Sequence, residues 1–318
     1  MNIVILDAAT LGDVNLDNIK QLGNLIIYDT TDEKELLNRV KHAEIIITNK
    51  VIFTKETLER LPQLKLICIA ATGMNNINLQ AAKELGICVK NVTGYSTNSV
   101  VQHTIMLALN ILGQFNYYND YVKSSKWSYS NIFCHFEKGV EMFNIENKQW
   151  GIIGLGAIGS GIAKVVESFG AKVVYFSTSG KNSSNVFKRI DSLNEVMKES
   201  DIISIHAPLN DKTENLITKK ELKLLKTNAI LINAGRGGIV NERDVATTLR
   251  EKHFYFATDV LEKEPMIKDH PLLSDDILDK VTITPHIAWA YKESRDKLIK
   301  GMENNIKDFL KKNKGNNI

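Results

Sequence analysis

Three polar side chains in the C-terminal half of the chain have the types and surroundings needed to move a proton and grip an acid. His286 lies in Ile283-Thr284-Pro285-His286-Ile287-Ala288-Trp289, and an imidazole exchanges protons near neutral pH. Upstream, Asp259-Val260-Leu261-Glu262-Lys263-Glu264-Pro265 offers two glutamates. A carboxylate set beside an imidazole raises its proton affinity and fixes its ring; spacing alone leaves Glu264 and Glu262 both open. Arg236 stands in Ile232-Asn233-Ala234-Gly235-Arg236-Gly237-Gly238, where an arginine held by glycines can grip a carboxylate through two parallel hydrogen bonds. Each of the three follows an apolar run of strand character. His206, in Ser204-Ile205-His206-Ala207-Pro208, reads as shaping a pocket, and His103, within an apolar helical pattern, as a packing histidine. There is no nucleophile elbow and no Cys/His spacing of a metal site, so no metal is expected.

The positioning of these groups depends on a stretch further upstream, Trp150-Gly151-Ile152-Ile153-Gly154-Leu155-Gly156-Ala157-Ile158-Gly159. An apolar strand runs into Gly154, Gly156 and Gly159 at G-x-G-x-x-G spacing, and a helical pattern and a second strand follow. In that context the turn brings backbone close to a phosphate and aims a helix N-terminus at it. Strand character continues at 172–177, 201–206, 229–233, 255–259 and 281–284 with helical patterns between, giving six strands of a doubly wound, Rossmann-type sheet. The first third alternates in the same way, with strands at 3–7, 25–28, 44–48, 64–70 and 87–92 and N-cap candidates Asp32 and Thr54; Gly86 and Gly23 read as C-caps. It lacks the glycine turn and reads as a flavodoxin-like second α/β domain. A long apolar helix from about Ser99 marks the crossing between domains, and 114–147 reads as irregular and aromatic. The last helix, beginning near Ala290, has no place in the second sheet. The expected division is therefore 1–98 with 288–318 as substrate domain and 99–287 as dinucleotide-binding domain, two doubly wound parallel-sheet α/β domains with a cleft between.

The 318 residues suffice for two cores, and 43% hydrophobic with 24% charged residues is ordinary for a globular protein. A net charge of +3 with scattered lysines gives no nucleic-acid footprint. Three cysteines form an odd set without disulfide logic, and no long apolar span or leader precedes the first strand. These features lead us to expect a cytoplasmic protein that binds neither nucleic acid nor membrane.

Taken together, these motifs resemble the D-isomer-specific 2-hydroxyacid dehydrogenases nearly end to end. Ala71-Thr72-Gly73-Met74-Asn75-Asn76-Ile77 looks like the family's substrate-carboxylate loop, and 151–159, 233–237, 259–265 and 285–288 look like its signatures. Gly94-Tyr95-Ser96-Thr97, Thr72-Gly73-Met74-Asn75-Asn76 and His286-Ile287-Ala288-Trp289 lean toward the glycerate dehydrogenase, or hydroxypyruvate reductase, branch. The resemblance implies a catalytic set of Arg236, Glu264 and His286, choosing Glu264 over Glu262. It sets Ala157, Ile158, Ala207, Pro208, Thr213 and Ala234 around the dinucleotide, and Asp259 at its nicotinamide end. It gives the backbone of Gly73 and Met74, with Arg236, to the substrate carboxylate. It also implies a homodimer with 114–147 at the interface.

Two positions depart from the pattern. The acid expected about 20 residues beyond the glycines to hold the ribose 2′-OH is replaced by Ser177, followed by Thr178, Ser179, Gly180 and Lys181. Without a carboxylate a 2′-phosphate meets no repulsion, and the hydroxyls and Lys181 could bind one although no arginine is present. NAD(H) and NADP(H) both stand, with a slight lean to NADP(H). Met74 stands where this branch often has threonine; Met74, Trp289 and Met266 are candidates to shape the pocket. The activity expected is reduction of a small 2-oxo acid, hydroxypyruvate or glyoxylate first, to the D-2-hydroxy acid. The alternatives are a dinucleotide-sensing corepressor on the same fold and a phosphoglycerate dehydrogenase, the latter often needing a further C-terminal domain.

Overall fold

The computed structural model describes residues 1–315; 316–318, the end of the expected 288–318 segment, lie outside the described residues. The chain separates into two compact units, residues 1–96 with those from 289 onward, and residues 97–288.

The first unit holds β1 (Asn2–Ile5), β2 (Asn24–Ile27), β3 (Ile45–Thr48), β4 (Leu66–Ile69) and β5 (Cys88–Lys90) in a parallel sheet of order β2-β1-β3-β4-β5, the flavodoxin-like arrangement. β3 and β4 are apolar almost throughout because helices cover both faces of the sheet. Alternate residues go to opposite cores, as a pleated strand requires. Val4, Ile46 and Ile67 pack with Leu36, Val40 and Leu58 on one face. Ile3, Ile5, Ile45 and Leu66 pack with Leu298, Met302 and Ile306 of the final helix, Lys292–Gly315, on the other. Asp32 caps the helix Glu33–Val40 in a reciprocal box with Glu35, and the Thr54 hydroxyl accepts from Thr57 N–H. Gly86 closes the helix Leu79–Glu84 with φ +72°. Gly23 does not act as a left-handed cap. A Cβ there would lie 2.7 Å from the Met1 carbonyl oxygen, so its need is close approach.

The second unit holds β6 (Gln149–Ile153), β7 (Lys172–Phe176), β8 (Lys188–Arg189), β9 (Ile202–Ile205), β10 (Ile230–Asn233), β11 (Tyr255–Thr258) and β12 (Val281–Ile283), all parallel. Their order, β12-β11-β10-β9-β6-β7-β8, is the doubly wound one, reversing at β6. The seventh strand, β8, corrects the expected six: it has only two exposed residues, and so little sequence carries no periodicity. The region 114–147 is likewise more ordered than expected, with a helix at Phe115–Lys123 and a 3-10 turn at Trp127–Tyr129. Ile152, Ile202, Ile230 and Ile232 pack against the helices Thr97–Leu112 and Ala157–Ser168 on one face. Ile153, Ile203 and Leu231 pack against Met197, Leu222 and Val245 on the other. Burying each such side chain contributes about 1.5–3 kcal/mol, so the sheet is a firm base for loops at its edge. No helix among the described residues is long and apolar enough to cross a membrane.

Candidate active site

Because every pair in the second sheet is parallel, the C-terminal ends of its strands share one edge. The residues after β6, β7, β9, β10, β11 and β12 gather there, the side on which such sheets take ligands.

The turn after β6 is shaped by three glycines with separate tasks. Gly154 has φ +95°, and a Cβ on it would come within 2.9 Å of the His206 carbonyl and the Ala207 nitrogen. Gly159 lies so close to the Gly154 carbonyl that any side chain would overlap it. Gly156, the N-cap of Ala157–Ser168, faces open space. The first N–H groups of that helix have no partner within it, no side chain caps them, and a Cβ-free backbone lies before them. This cradle fits the pyrophosphate of a dinucleotide. Ile158 in the first helical turn packs with Ala234, Ala288 and Val100, tying the cradle to the loops after β10 and β12.

Ser177, directly after β7, is buried, and its hydroxyl accepts from Asn182 N–H at 3.3 Å. The Asn182 amide donates to Leu155 O at 3.0 Å, so the turn after β7 is stitched to the glycine turn. An arginine does stand here, contrary to expectation. Arg189 of β8, beside Tyr175 of β7, donates to Gly180 O at 3.0 Å and pairs with Asp191 at 2.7 Å. It is eight or more residues beyond the turn and reaches it only through the β7–β8 pairing. After β9, Ala207 is buried, and the Thr213 hydroxyl donates to Pro208 O at 2.6 Å, closing the loop. Both ring nitrogens of His206 are buried without a partner, and burial pushes its pKa down to about 3. His206 is thus neutral, directly after β9.

The loop after β10 is pinned by Asn233, which sequence reasoning passed over. Its amide donates to Arg236 O at 2.9 Å, and its carbonyl oxygen accepts from Gly235 N–H at 3.1 Å. Arg236 is exposed, with one guanidinium nitrogen donating to Gly235 O at 2.8 Å. A Cβ on Gly237 would overlap the carbonyl of Leu261, so only glycine lets the arginine loop lie against the glutamate loop. That second loop is held from below. Glu242 accepts from Glu262 N–H at 2.7 Å and from His270 Nε2–H at 2.8 Å, with His270 Nδ1 accepting from Leu272 N–H. Glu242 and His270 are both buried. Neither stood out in the sequence: Glu242 lies 20 residues before Glu262 and 28 before His270.

Glu264 and His286 meet. Glu264 Oε2 lies 2.6 Å from His286 Nδ1, and Oε1 accepts from Leu261 N–H at 2.9 Å. Glu262 is exposed and engages Glu242 through its backbone, so the geometry separates the two glutamates that spacing could not. His286 sits at φ +54°, in the left-handed region, and its N–H donates to Thr284 O at 2.9 Å. Asp259, almost wholly buried, anchors this turn. It accepts from Thr284 Oγ1–H at 2.6 Å, Ile287 N–H at 2.9 Å and Ala288 N–H at 2.8 Å. Two of these donors fall on Oδ1 and one on Oδ2.

In the first unit, Gly73 and Met74 lie on the loop after β4. Met74 packs against the core containing Phe53 and Ile77. Trp289 packs into the other core, with its ring edge-to-face with Tyr95 at 6.2 Å, and Met266 packs against the core of the second unit. All three candidate pocket-shaping residues therefore spend apolar surface on cores.

The dinucleotide cradle and the paired acid–base loop define a nicotinamide-dependent oxidoreductase. Residues 105–288 match the D-isomer specific 2-hydroxyacid dehydrogenase, NAD binding domain family. Over 318 residues the chain is 35% identical to a hydroxypyruvate reductase of Blautia hydrogenotrophica, covering 98% of this chain and 97% of that one. Among solved structures, an acyclic imino acid reductase in complex with NADPH and D-arginine aligns with TM-score 0.85 at 27% identity, covering 98% of each chain. D-lactate dehydrogenase of Aquifex aeolicus, complexed with NAD and lactic acid, aligns with TM-score 0.81 at 28% identity, covering 98% of this chain and 96% of that one. The chain belongs to the D-isomer-specific 2-hydroxyacid dehydrogenase family.

Proposed function

We propose that the chain reduces hydroxypyruvate or glyoxylate to the D-2-hydroxy acid, with His286 as proton donor. The observation that carries this reading is the 2.6 Å contact of His286 Nδ1 with Glu264 Oε2 at the edge that also bears Arg236 and the dinucleotide cradle. A bound reduced nicotinamide supplies hydride to C2 of the oxo acid. Glu264 holds the Nδ1 proton, so the imidazolium gives its other proton, from Nε2, to the oxygen that becomes the hydroxyl. Arg236 grips the carboxylate and lowers the energy of charge developing on the carbonyl oxygen. The family resemblance further assigns the Gly73 and Met74 backbone N–H groups to that carboxylate.

The dinucleotide would rest on Gly154, Gly156, Ala157, Ile158 and Gly159, with Ala207, Pro208, Thr213 and Ala234 as walls and Asp259 at the nicotinamide end. NADP(H) is favoured because Ser177 replaces the acid, while Thr178, Lys181 and Arg189 offer hydroxyl and cationic groups around the same turn. We assign a homodimer, with the exposed Tyr129, Phe133 and Phe136 of the aromatic segment at its interface, since apolar side chains so exposed favour a protein partner. The reading is tested by following oxidation of NADH and NADPH with hydroxypyruvate, glyoxylate, pyruvate and bulkier 2-oxo acids. Turnover is expected with the two small acids. Dinucleotide binding without turnover on any acid would instead favour a sensing protein.

A further inference from the structure

We infer that His103 is a positioning residue for the acid–base loop: through Thr284 and Asp259 it holds residues 286–288 in the turn that presents His286. This rests on the reading of His286 as proton donor.

His103 lies mid-helix in Thr97–Leu112 and is only 2% exposed. Its Nε2 is 2.9 Å from Thr284 Oγ1, and Thr284 Oγ1 is 2.6 Å from Asp259 Oδ1. The direction of these bonds follows from proton counting. Both Asp259 oxygens already accept backbone N–H groups, so the carboxylate is the acceptor here and the single hydroxyl proton of Thr284 goes to Oδ1. Thr284 Oγ1 can then only accept from the ring, which requires a proton on Nε2. Burial pushes the pKa of His103 down, against the pull of Asp259 at 3.6 Å. The ring therefore carries a proton on Nε2, and the order runs His103 Nε2–H to Thr284 Oγ1–H to Asp259.

The far end of this chain is the catalytic turn. Asp259 takes the N–H groups of Ile287 and Ala288, and Thr284 also gives its carbonyl to His286 N–H. Between these fixed points His286 is held at φ +54°, a conformation that non-glycine residues keep only where surroundings enforce it. A histidine kept only for packing could be exchanged for another ring of similar size. One that orients Thr284 could not, because without its N–H the hydroxyl could turn from Asp259 and loosen the carboxylate that fixes the loop. Small misplacements of a catalytic group cost about a hundredfold in rate.

The test compares His103→Phe, His103→Gln, Thr284→Val and Thr284→Ser with the wild type. It uses hydroxypyruvate and whichever dinucleotide the wild type oxidises, and measures kcat, KM, dinucleotide affinity and Tm. His103→Phe is expected to lose roughly tenfold or more in kcat while KM and dinucleotide affinity stay within about threefold. His103→Gln, which restores an N–H near the Nε2 position, should recover most of the loss. Thr284→Val should repeat the loss with His103 intact, and Thr284→Ser should reverse it. Both His103→Phe and Thr284→Val retaining wild-type kcat would overturn the proposal, as would equal losses in His103→Phe and His103→Gln. Should the variants fail to fold, the long-range 1H–15N spectrum of wild-type imidazoles decides: Nε2–H at His103 is expected, and Nδ1–H overturns it. Absence of wild-type turnover would instead fall on the proposed activity, leaving the tautomer measurement intact.

Discussion

At the scale of single residues, the site depends on which atom of each side chain is already engaged. Glu264 uses one oxygen to hold its own loop through Leu261 N–H and the other to hold His286 Nδ1. Glu264→Gln keeps the size but replaces the carboxylate with a neutral amide, which can present the wrong group to Nδ1. Such a change at a histidine-orienting acid lowers turnover by up to about 10⁴-fold. We expect steady-state kcat for Glu264→Gln to fall at least ~100-fold with little change in dinucleotide affinity. On the proposed reading, Ser177 is the residue that sets the cofactor choice. Ser177→Asp should place a carboxylate where a 2′-phosphate would lie, shifting the ratio of kcat/KM for NADPH over NADH toward NADH by about tenfold or more. An unchanged ratio would show that Ser177 does not face the ribose.

Secondary-structure elements explain why some of this was legible in the sequence and some was not. The central parallel strands announced themselves as continuous apolar runs, because both faces are buried, and the glycine turn did so through residue types that nothing else replaces. Arg236, Glu264 and His286 were visible as polar residues directly after such runs. The supports beneath them were not. Asn233 acts locally, through Gly235 and Arg236, by a turn that its residue type alone does not announce. Glu242, His270 and His103 act through partners that the fold brings near, and no local pattern records that. Arg189 was missed for the same reason, on a strand of two residues. The clearest element-level test is Gly237→Ala. Its methyl group would collide with the Leu261 carbonyl, a backbone atom that can move only if the arginine loop separates from the glutamate loop. We expect a lower Tm together with a loss of turnover of ~100-fold or more, since misplacing both loops affects Arg236 and Glu264 at once.

On the scale of the whole molecule, the final helix is joined to the first unit by more than apolar packing. The buried Glu303 bonds Lys300 at 3.0 Å and Lys307 at 2.5 Å, and accepts from Asn18 Nδ2 at 3.3 Å. Lys307 first, and then Lys300, hold its pKa down to about 2, below the ordinary 4.5. A carboxyl depressed by folding stabilises the folded state above its unfolded pKa, and that contribution is lost as pH falls through the folded one. Stability should therefore decline as pH drops from about 4.5 to about 2. Glu303→Gln should flatten that part of a Tm-against-pH curve while lowering Tm near neutrality. The two-unit architecture also agrees with family membership along the chain, which makes the activity of the intact protein the proper readout of its central residue. That measurement is single-turnover and steady-state oxidation of NADH or NADPH by hydroxypyruvate for wild type and His286→Ala, with dinucleotide affinity titrated in parallel. The account predicts a fall in kcat of about 10²–10⁴-fold with dinucleotide affinity nearly unchanged; wild-type turnover by His286→Ala would contradict it.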